Sequence, residues 1–169
     1  LGRQSVVQVL AGLDAADVSL DRSGSILQCI RSSYENLSVE SQQVLLYLAP
    51  FSGHIVRAAL PQYVGHFCVL EPEFTKLSVQ MLDDAVREAI NWGLLAIHGE
   101  GPLEELTIHP LLPYFLRVKL PQEQDEVNAN LITKAFQNHC TDLAYMYATI
   151  LNSNTAREHQ WGIYWIKLE

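Results

Sequence analysis

Apolar residues recur every three or four positions through most of this chain, which is the spacing of helices that bury one face. Prolines and glycines interrupt the pattern and set the expected helix ends. The pattern predicts helices over residues 4–11, 23–36, 39–49, 55–60, 79–92, 111–120, 122–151 and 156–168. Residues 61–77 contain Pro61, Gly65 and Pro72 and are therefore predicted to be irregular.

The pattern changes between residues 92 and 111. Two short apolar runs, 94–98 and 105–109, flank a break rich in glycine and proline, which is typical of a β-hairpin. Three helices followed by a hairpin form the winged-helix arrangement. The sequence therefore predicts a mainly α chain, with a winged-helix domain over residues 22–120 and an antiparallel helical pair over residues 121–169. Residues 1–21 form a separate connecting block.

The long helix predicted at 122–151 resembles the start of a helical repeat array when it is paired with the helix at 156–168. Its predicted apolar positions are Val127, Leu131, Ala135, Cys140, Leu143, Ala144, Met146 and Tyr147. The second helix contributes three large aromatic side chains, Trp161, Tyr164 and Trp165. Ordinary core packing is one interpretation of these aromatics.

Charge and cysteine content narrow the class of protein. The net charge is −8, from 11 Lys and Arg against 19 Asp and Glu, which argues against general nucleic-acid binding. No apolar run approaches the ~20 residues of a membrane span.

The three widely spaced cysteines, Cys29, Cys68 and Cys140, predict buried thiols in a reducing compartment, and hence a cytoplasmic protein. The chain starts at Leu1, so we expect it to be a piece of a longer protein.

The sequence offers no motif for catalysis or for metal binding. None of its six histidines forms HExxH or pairs with a cysteine at zinc spacing, and there is no Walker A, GxGxxG or GxSxG motif. Asp83 and Asp84 are adjacent on a helix and diverge by ~100°, so they predict a solvated face rather than a carboxylate pair. We therefore expect no catalytic residue and no metal site.

A free-standing winged-helix DNA-binding regulator is the alternative function, with residues 79–92 as the recognition helix. Acidic side chains oppose it, because they would repel phosphates. These are Asp83, Asp84 and Glu88 on the helix and Glu100, Glu104 and Glu105 at the hairpin.

Three segments, read together, resemble the winged-helix domain of STAND-class signal-transducing NTPases, which have an NB-ARC nucleotide-binding core. The resemblance covers about residues 20–120. Residues 25–51, with Ser33-Tyr34, Leu37 and Leu45-Leu46-Tyr47-Leu48-Ala49-Pro50-Phe51, resemble the opening of that domain. Residues 82–95, ending in Gly93-Leu94-Leu95, resemble its helix and following strand. Residues 106–117, containing Ile108-His109-Pro110-Leu111-Leu112, resemble its closing motif.

The resemblance implies a role for His109. In that family the histidine of the closing motif contacts the phosphate side of bound ADP and holds the resting state. Here Ile108 stands where the motif often has Met, and Pro110 stands where it often has Asp. A histidine that only bonds locally at the end of a strand is the competing interpretation.

The resemblance also implies what surrounds this segment. Residues 1–21 would end an upstream helical subdomain, and 121–169 would begin a superhelical, TPR-like sensor. Walker motifs would lie upstream, so this segment would be a non-catalytic regulatory module of an ATP- and ADP-binding protein. Its partners would be the upstream nucleotide-binding domain, the downstream repeats and other proteins, with Trp161, Tyr164 and Trp165 as candidate contacts. A scaffold module with no switch is a further possibility.

Overall fold

The computed structural model describes residues 22–99 and 104–152. These residues are mainly helical, with six α-helices and one three-stranded antiparallel sheet. The elements are α1 (Arg22–Glu35), α2 (Val39–Leu45), β1 (His54–Val56), α3 (Leu60–Leu70), α4 (Val79–Asn91), β2 (Leu95–His98), β3 (Glu105–Ile108), α5 (Leu112–Glu123) and α6 (Glu126–Leu151). Short 3-10 helices cover Leu46–Leu48 and Arg57–Ala59. The predicted helices at 4–11 and 156–168 lie outside the described residues.

A single hydrophobic core joins all six helices and the sheet. Its largest fully buried side chains are Tyr34, Leu45, Leu46, Leu48, Tyr63, Phe67, Leu82, Leu94, Leu106, Leu112, Leu116 and Ile132. Aromatic rings at its centre meet edge to face, as Phe51 does with Tyr63 at a centroid distance of 4.9 Å. Ile132 and Ala135 of α6 belong to the same core. The long helix therefore packs on the preceding elements rather than standing apart.

The sheet confirms the predicted hairpin and adds a third strand. The strand order is β1-β3-β2, and Leu106 of the central strand pairs with Ile55 on one side and Ile97 on the other. The expected helix at 55–60 is therefore wrong: this segment is strand β1 followed by a 3-10 helix. A strand of three residues is too short to show an alternation of apolar and polar positions. Its conformation is fixed by pairing with β3, which lies far along the chain.

Helix α3 corrects the expectation of irregular structure for residues 61–70, whereas residues 71–77 are irregular as predicted. Pro61 lies in the first turn of this helix, where a missing N–H costs little. Gly65 weakens a helix interior by ~1 kcal/mol, which the burial of Tyr63, Val64 and Phe67 outweighs.

The junction between α5 and α6 also differs from the prediction. Helix α5 does not stop at Leu120 but runs through Pro121 to Glu123. Helix α6 begins only at Glu126, and the side chain of Asp125 caps it by accepting a hydrogen bond from the Asn128 amide at 2.7 Å. Helix α6 thus begins four residues later than predicted.

The buried face of α6 agrees with the predicted one at Ala135 and Tyr147 but differs at other positions. Val127, Cys140, Ala144 and Met146 are exposed. The buried residues are Asn128, Ile132, Ala135, His139 and Tyr147. The expectation of buried thiols is wrong as well, since Cys29, Cys68 and Cys140 are all exposed.

Ser38 joins two helices at once. Its hydroxyl accepts a hydrogen bond from the Ser41 amide, which caps α2. Its amide and its hydroxyl each donate to the Glu88 carboxylate on α4 at 2.8 Å. Hydrogen bonds from the Ser41 side chain and from Ser38 lower the pKa of Glu88, so this carboxylate stays ionised and holds the contact.

Ser38→Ala is expected to lower the free energy of unfolding by about 2 kcal/mol, because it removes both the cap and a bond to a charged group. Ser78→Ala is the matched control. Ser78 caps α4 through the Met81 amide, so its loss should cost only about 1 kcal/mol. Urea unfolding of both variants measures the difference, and equal losses would contradict the double role of Ser38.

Candidate functional site

His109 lies in the short connection between the central strand β3 and helix α5, and its backbone is held on both sides. Its amide donates to the Leu94 carbonyl at 3.3 Å, just before β2. Its carbonyl accepts from the Leu112 amide at 2.9 Å, in the first turn of α5. The position of His109 is thus set by the sheet and by α5 together.

The ring of His109 has one nitrogen engaged. Its Nδ1 atom lies 3.3 Å from the Leu111 amide nitrogen, and the side chain is part-buried. A backbone amide can only donate, so Nδ1 is the acceptor in this bond. The neutral ring then carries its proton on Nε2, which makes Nε2–H a donor.

The N-terminus of α5 is less open to anions than most helix starts. Such a terminus normally offers several free N–H groups. Here the amides of Leu111 and Leu112 both donate to His109, while Pro110 and Pro113 have no N–H. These four positions therefore leave no backbone N–H free for an anion, and the Nε2–H of His109 is a side-chain donor at the same place.

Arg117 fixes the orientation of α5. Its guanidinium donates to the carbonyl oxygens of Ala49 and Pro50 at 3.0 and 3.1 Å. These carbonyls end the helical segment that begins with α2, where a cation is favourable. Arg117 lies about one and a half turns into α5, so its two hydrogen bonds hold this helix against the rest of the fold.

The acidic face of α4 is less free than the sequence suggested. Asp83 pairs with Arg57 and with Arg87, and hydrogen bonds from Arg57 and Arg87 lower the pKa of this carboxyl group. Glu104 pairs with Arg57 at 2.7 Å. Arg57, which follows β1, thus links α4 to the start of β3.

Two further acidic residues that were expected to repel a nucleic acid are engaged within the fold. Glu88 binds Ser38, and Glu105 is buried in β3. Asp84 remains more than half exposed on α4 and lies 3.3 Å from Arg87. Glu100 lies outside the described ranges. The charge that would face a nucleic acid is therefore smaller than the residue count implies.

A second group of polar side chains, not singled out by the sequence, lies between α3 and α6. His139 of α6 is only 2% exposed, and its ring lies 6.1 Å from that of His66 on α3. His66 Nε2 lies 3.4 Å from Asp142 Oδ2. Burial, with His66 nearby, lowers the pKa of His139 to about 4, while Asp142 acts in the opposite direction. The predicted apolar positions of α6 did not include His139.

Across residues 22–99 and 104–152, no group of three or more His, Cys, Asp or Glu side chains is arranged to hold a metal ion. The candidate contacts Trp161, Tyr164 and Trp165 lie outside the described part of the chain, so the structure does not place them relative to His109.

The helices that the structure describes include none that combines the length and the apolar character needed to cross a bilayer. Comparison of the chain with protein-family models, with curated proteins and with solved structures gave no significant match.

Proposed function

We propose that residues 22–120 act as the winged-helix switch region of a STAND-type NTPase in the cytoplasm. The succession of helix, strand, helix, helix and hairpin from α2 to β3, with β1 completing the sheet, supports the winged-helix interpretation. The segment would be regulatory rather than catalytic. It would link an upstream nucleotide-binding core to a downstream helical sensor.

The geometry of His109 carries this proposal. Its Nδ1 accepts the Leu111 amide, so its Nε2–H is available to donate to a phosphate oxygen. The backbone on both sides is fixed, by Leu94 and by Leu112, so the donor is held in place before a ligand arrives. A pre-positioned donor loses little entropy when it binds.

The proposed switch has two states with different contacts. With ADP, the winged helix packs on the nucleotide-binding core and His109 donates to the terminal phosphate. With ATP this contact is lost and the region is released for assembly. A ligand shifts such an equilibrium only by its difference in affinity for the two states, and His109 would supply part of that difference.

His109→Ala in the full-length protein is expected to raise the ADP dissociation rate at least tenfold. A hydrogen bond to a charged group contributes about 1.5–3 kcal/mol, and the variant removes one. Displacement of a fluorescent ADP analogue by excess ADP measures the rate in a stopped-flow instrument. His98→Ala, at an exposed position of β2, is the matched control and should leave the rate unchanged. An unchanged rate in His109→Ala would rule out the assignment.

The surface of α4 supports a protein partner over a nucleic acid. Asp83 and Arg57 neutralise each other, and the exposed pair Asp84 and Arg87 carries no net positive charge. Affinity for phosphates requires an excess of Lys and Arg over Asp and Glu on the binding surface. Titration of the chain with random duplex DNA at low salt should therefore show no salt-dependent binding.

A further inference from the structure

The contact between α3 and α6 is built around a buried histidine. The His139 ring packs against Phe51 and Tyr63 at centroid distances of 5.9 and 5.6 Å. Its Nδ1 atom is buried and has no hydrogen-bond partner in the described part of the chain. An imidazole ring enclosed by aromatic side chains is stable when neutral but costly to charge, because the charged ring would lose its hydration there without gaining a partner.

The charged and titratable groups around His139 come from both helices. From α3, His66 and Tyr63 face it, and from α6, Cys140 and Asp142 lie one and three residues further on. Phe51, the contact from the segment after α2, is not titratable. Asp142 is half exposed and already accepts a hydrogen bond from Gln62 at 3.1 Å. His66 Nε2 lies 3.4 Å from Asp142 Oδ2, whereas a proton on His139 Nδ1 would be added inside the aromatic enclosure.

Helix α6 is held on the described structure mainly by this contact. It touches the rest of the described structure chiefly through α3, with a smaller contact to α5. By contrast, α4 packs on α2, and β3 pairs with strands on both sides. Loss of the α3–α6 contact would therefore expose part of the core, while the packing of α4 on α2 and the strand pairs of β3 would remain.

We propose that the α3–α6 contact is an acid-sensitive joint, in which protonation of His139 releases α6 from α3 while α4 and the sheet stay folded. This device would operate without nucleotide and is independent of the role of His109. It would make the attachment of the segment after residue 125 respond to pH.

The direction follows from the two states of the ring. In the docked state His139 titrates near pH 4, and in the released state it titrates near its ordinary value of 6.5. The released state therefore takes up the proton first as the pH falls. Between pH 7 and pH 5 the released population is expected to rise about 20-fold.

Amide hydrogen exchange on the whole chain tests the joint. Protection factors, corrected for the intrinsic pH dependence of exchange, should fall about 20-fold in α6 between pH 7 and pH 5 and should change little in α4 and β3. His139→Phe keeps an aromatic ring in the enclosure but cannot take up a proton, so it should abolish the fall. His98→Phe, at an exposed position of β2, is the control and should retain it.

Two further variants keep the test valid if His139→Phe does not fold, and separate an effect of the proton from an effect of changed packing. His139→Gln is neutral at every pH and should also abolish the fall in α6 protection if His139→Phe does not fold. Asp142→Asn removes the carboxylate that favours a proton on His139 but leaves the ring in place, so it should retain the fall. Unchanged α6 protection at pH 5, an equal loss in α4 and α6, or the same loss in the His139 variants would each overturn the proposal.

Discussion

Tyr63→Ala is expected to lower the free energy of unfolding by about 4 kcal/mol, which would be among the largest effects of any single truncation in this chain. Tyr63 of α3 is fully buried and packs edge to face against Phe51 and Phe67. Truncation of a buried aromatic removes its transfer free energy and leaves a cavity, and such changes cost about 3–5 kcal/mol. Urea unfolding followed by circular dichroism measures the shift in midpoint.

Two matched variants separate the contributions of Tyr63. Its hydroxyl donates to the Tyr47 carbonyl at 2.6 Å, and burial raises the pKa of Tyr63, so the hydroxyl keeps its proton. Tyr63→Phe keeps the ring and should cost only about 1 kcal/mol. Tyr145→Ala, at a position of α6 that is 76% exposed, should stay within about 0.5 kcal/mol of the wild type. A Tyr63→Ala loss no larger than that of Tyr145→Ala would show that α3 does not pack as described.

Ile132→Ala is expected to have the second largest effect, lowering the free energy of unfolding by about 3 kcal/mol at neutral pH. Ile132 of α6 is 0% exposed and belongs to the core shared with α1–α5. The loss tests whether α6 is an integral part of that core rather than the first helix of a separate unit. Val127→Ala lies on the same helix at 72% exposure and serves as the control, with little expected change.

Unfolding monitored at two places decides the outcome for Ile132. If α6 shares the core at neutral pH, the midpoint in Ile132→Ala should fall for probes in α4 as well as for probes in α6. A shift confined to α6 would mean that the residues after 125 fold independently, as the boundary expected between residues 120 and 121 implies.

The sequence predicted those elements whose signal is local. Helices α1 and α4 follow from periodic apolar residues, and Ser78 and Gly93 mark the two ends of α4. The hairpin follows from two short apolar runs around glycines and proline. Elements fixed by distant contacts were missed. Strand β1 has three residues and depends on β3, and α3 contains Pro61 and Gly65, which locally indicate a break but are tolerated by a packed helix.

The candidate site was predictable only in part. The sequence placed His109 at the end of a strand and before a helix, which the structure confirms. The bond from the Leu111 amide to Nδ1 depends on how tightly the chain turns into α5, and that turn is not visible in the residue types. His139 was missed because the apolar stripe of α6 was assigned about one residue out of phase, so the histidine was not expected among the buried positions.

The pairing of β1 with β3 has a consequence for how the chain is made. His54 and Thr107, which face each other and share a hydrogen bond, are separated by 53 residues. A ribosome adds about 5–20 residues per second, so β1 would be synthesised roughly 3 to 10 seconds before its partner. Through that interval α2, α3 and α4 can form, whereas β1 must wait as an unpaired edge. Its length of only three residues limits the mispairing that a longer exposed strand would invite in the same time.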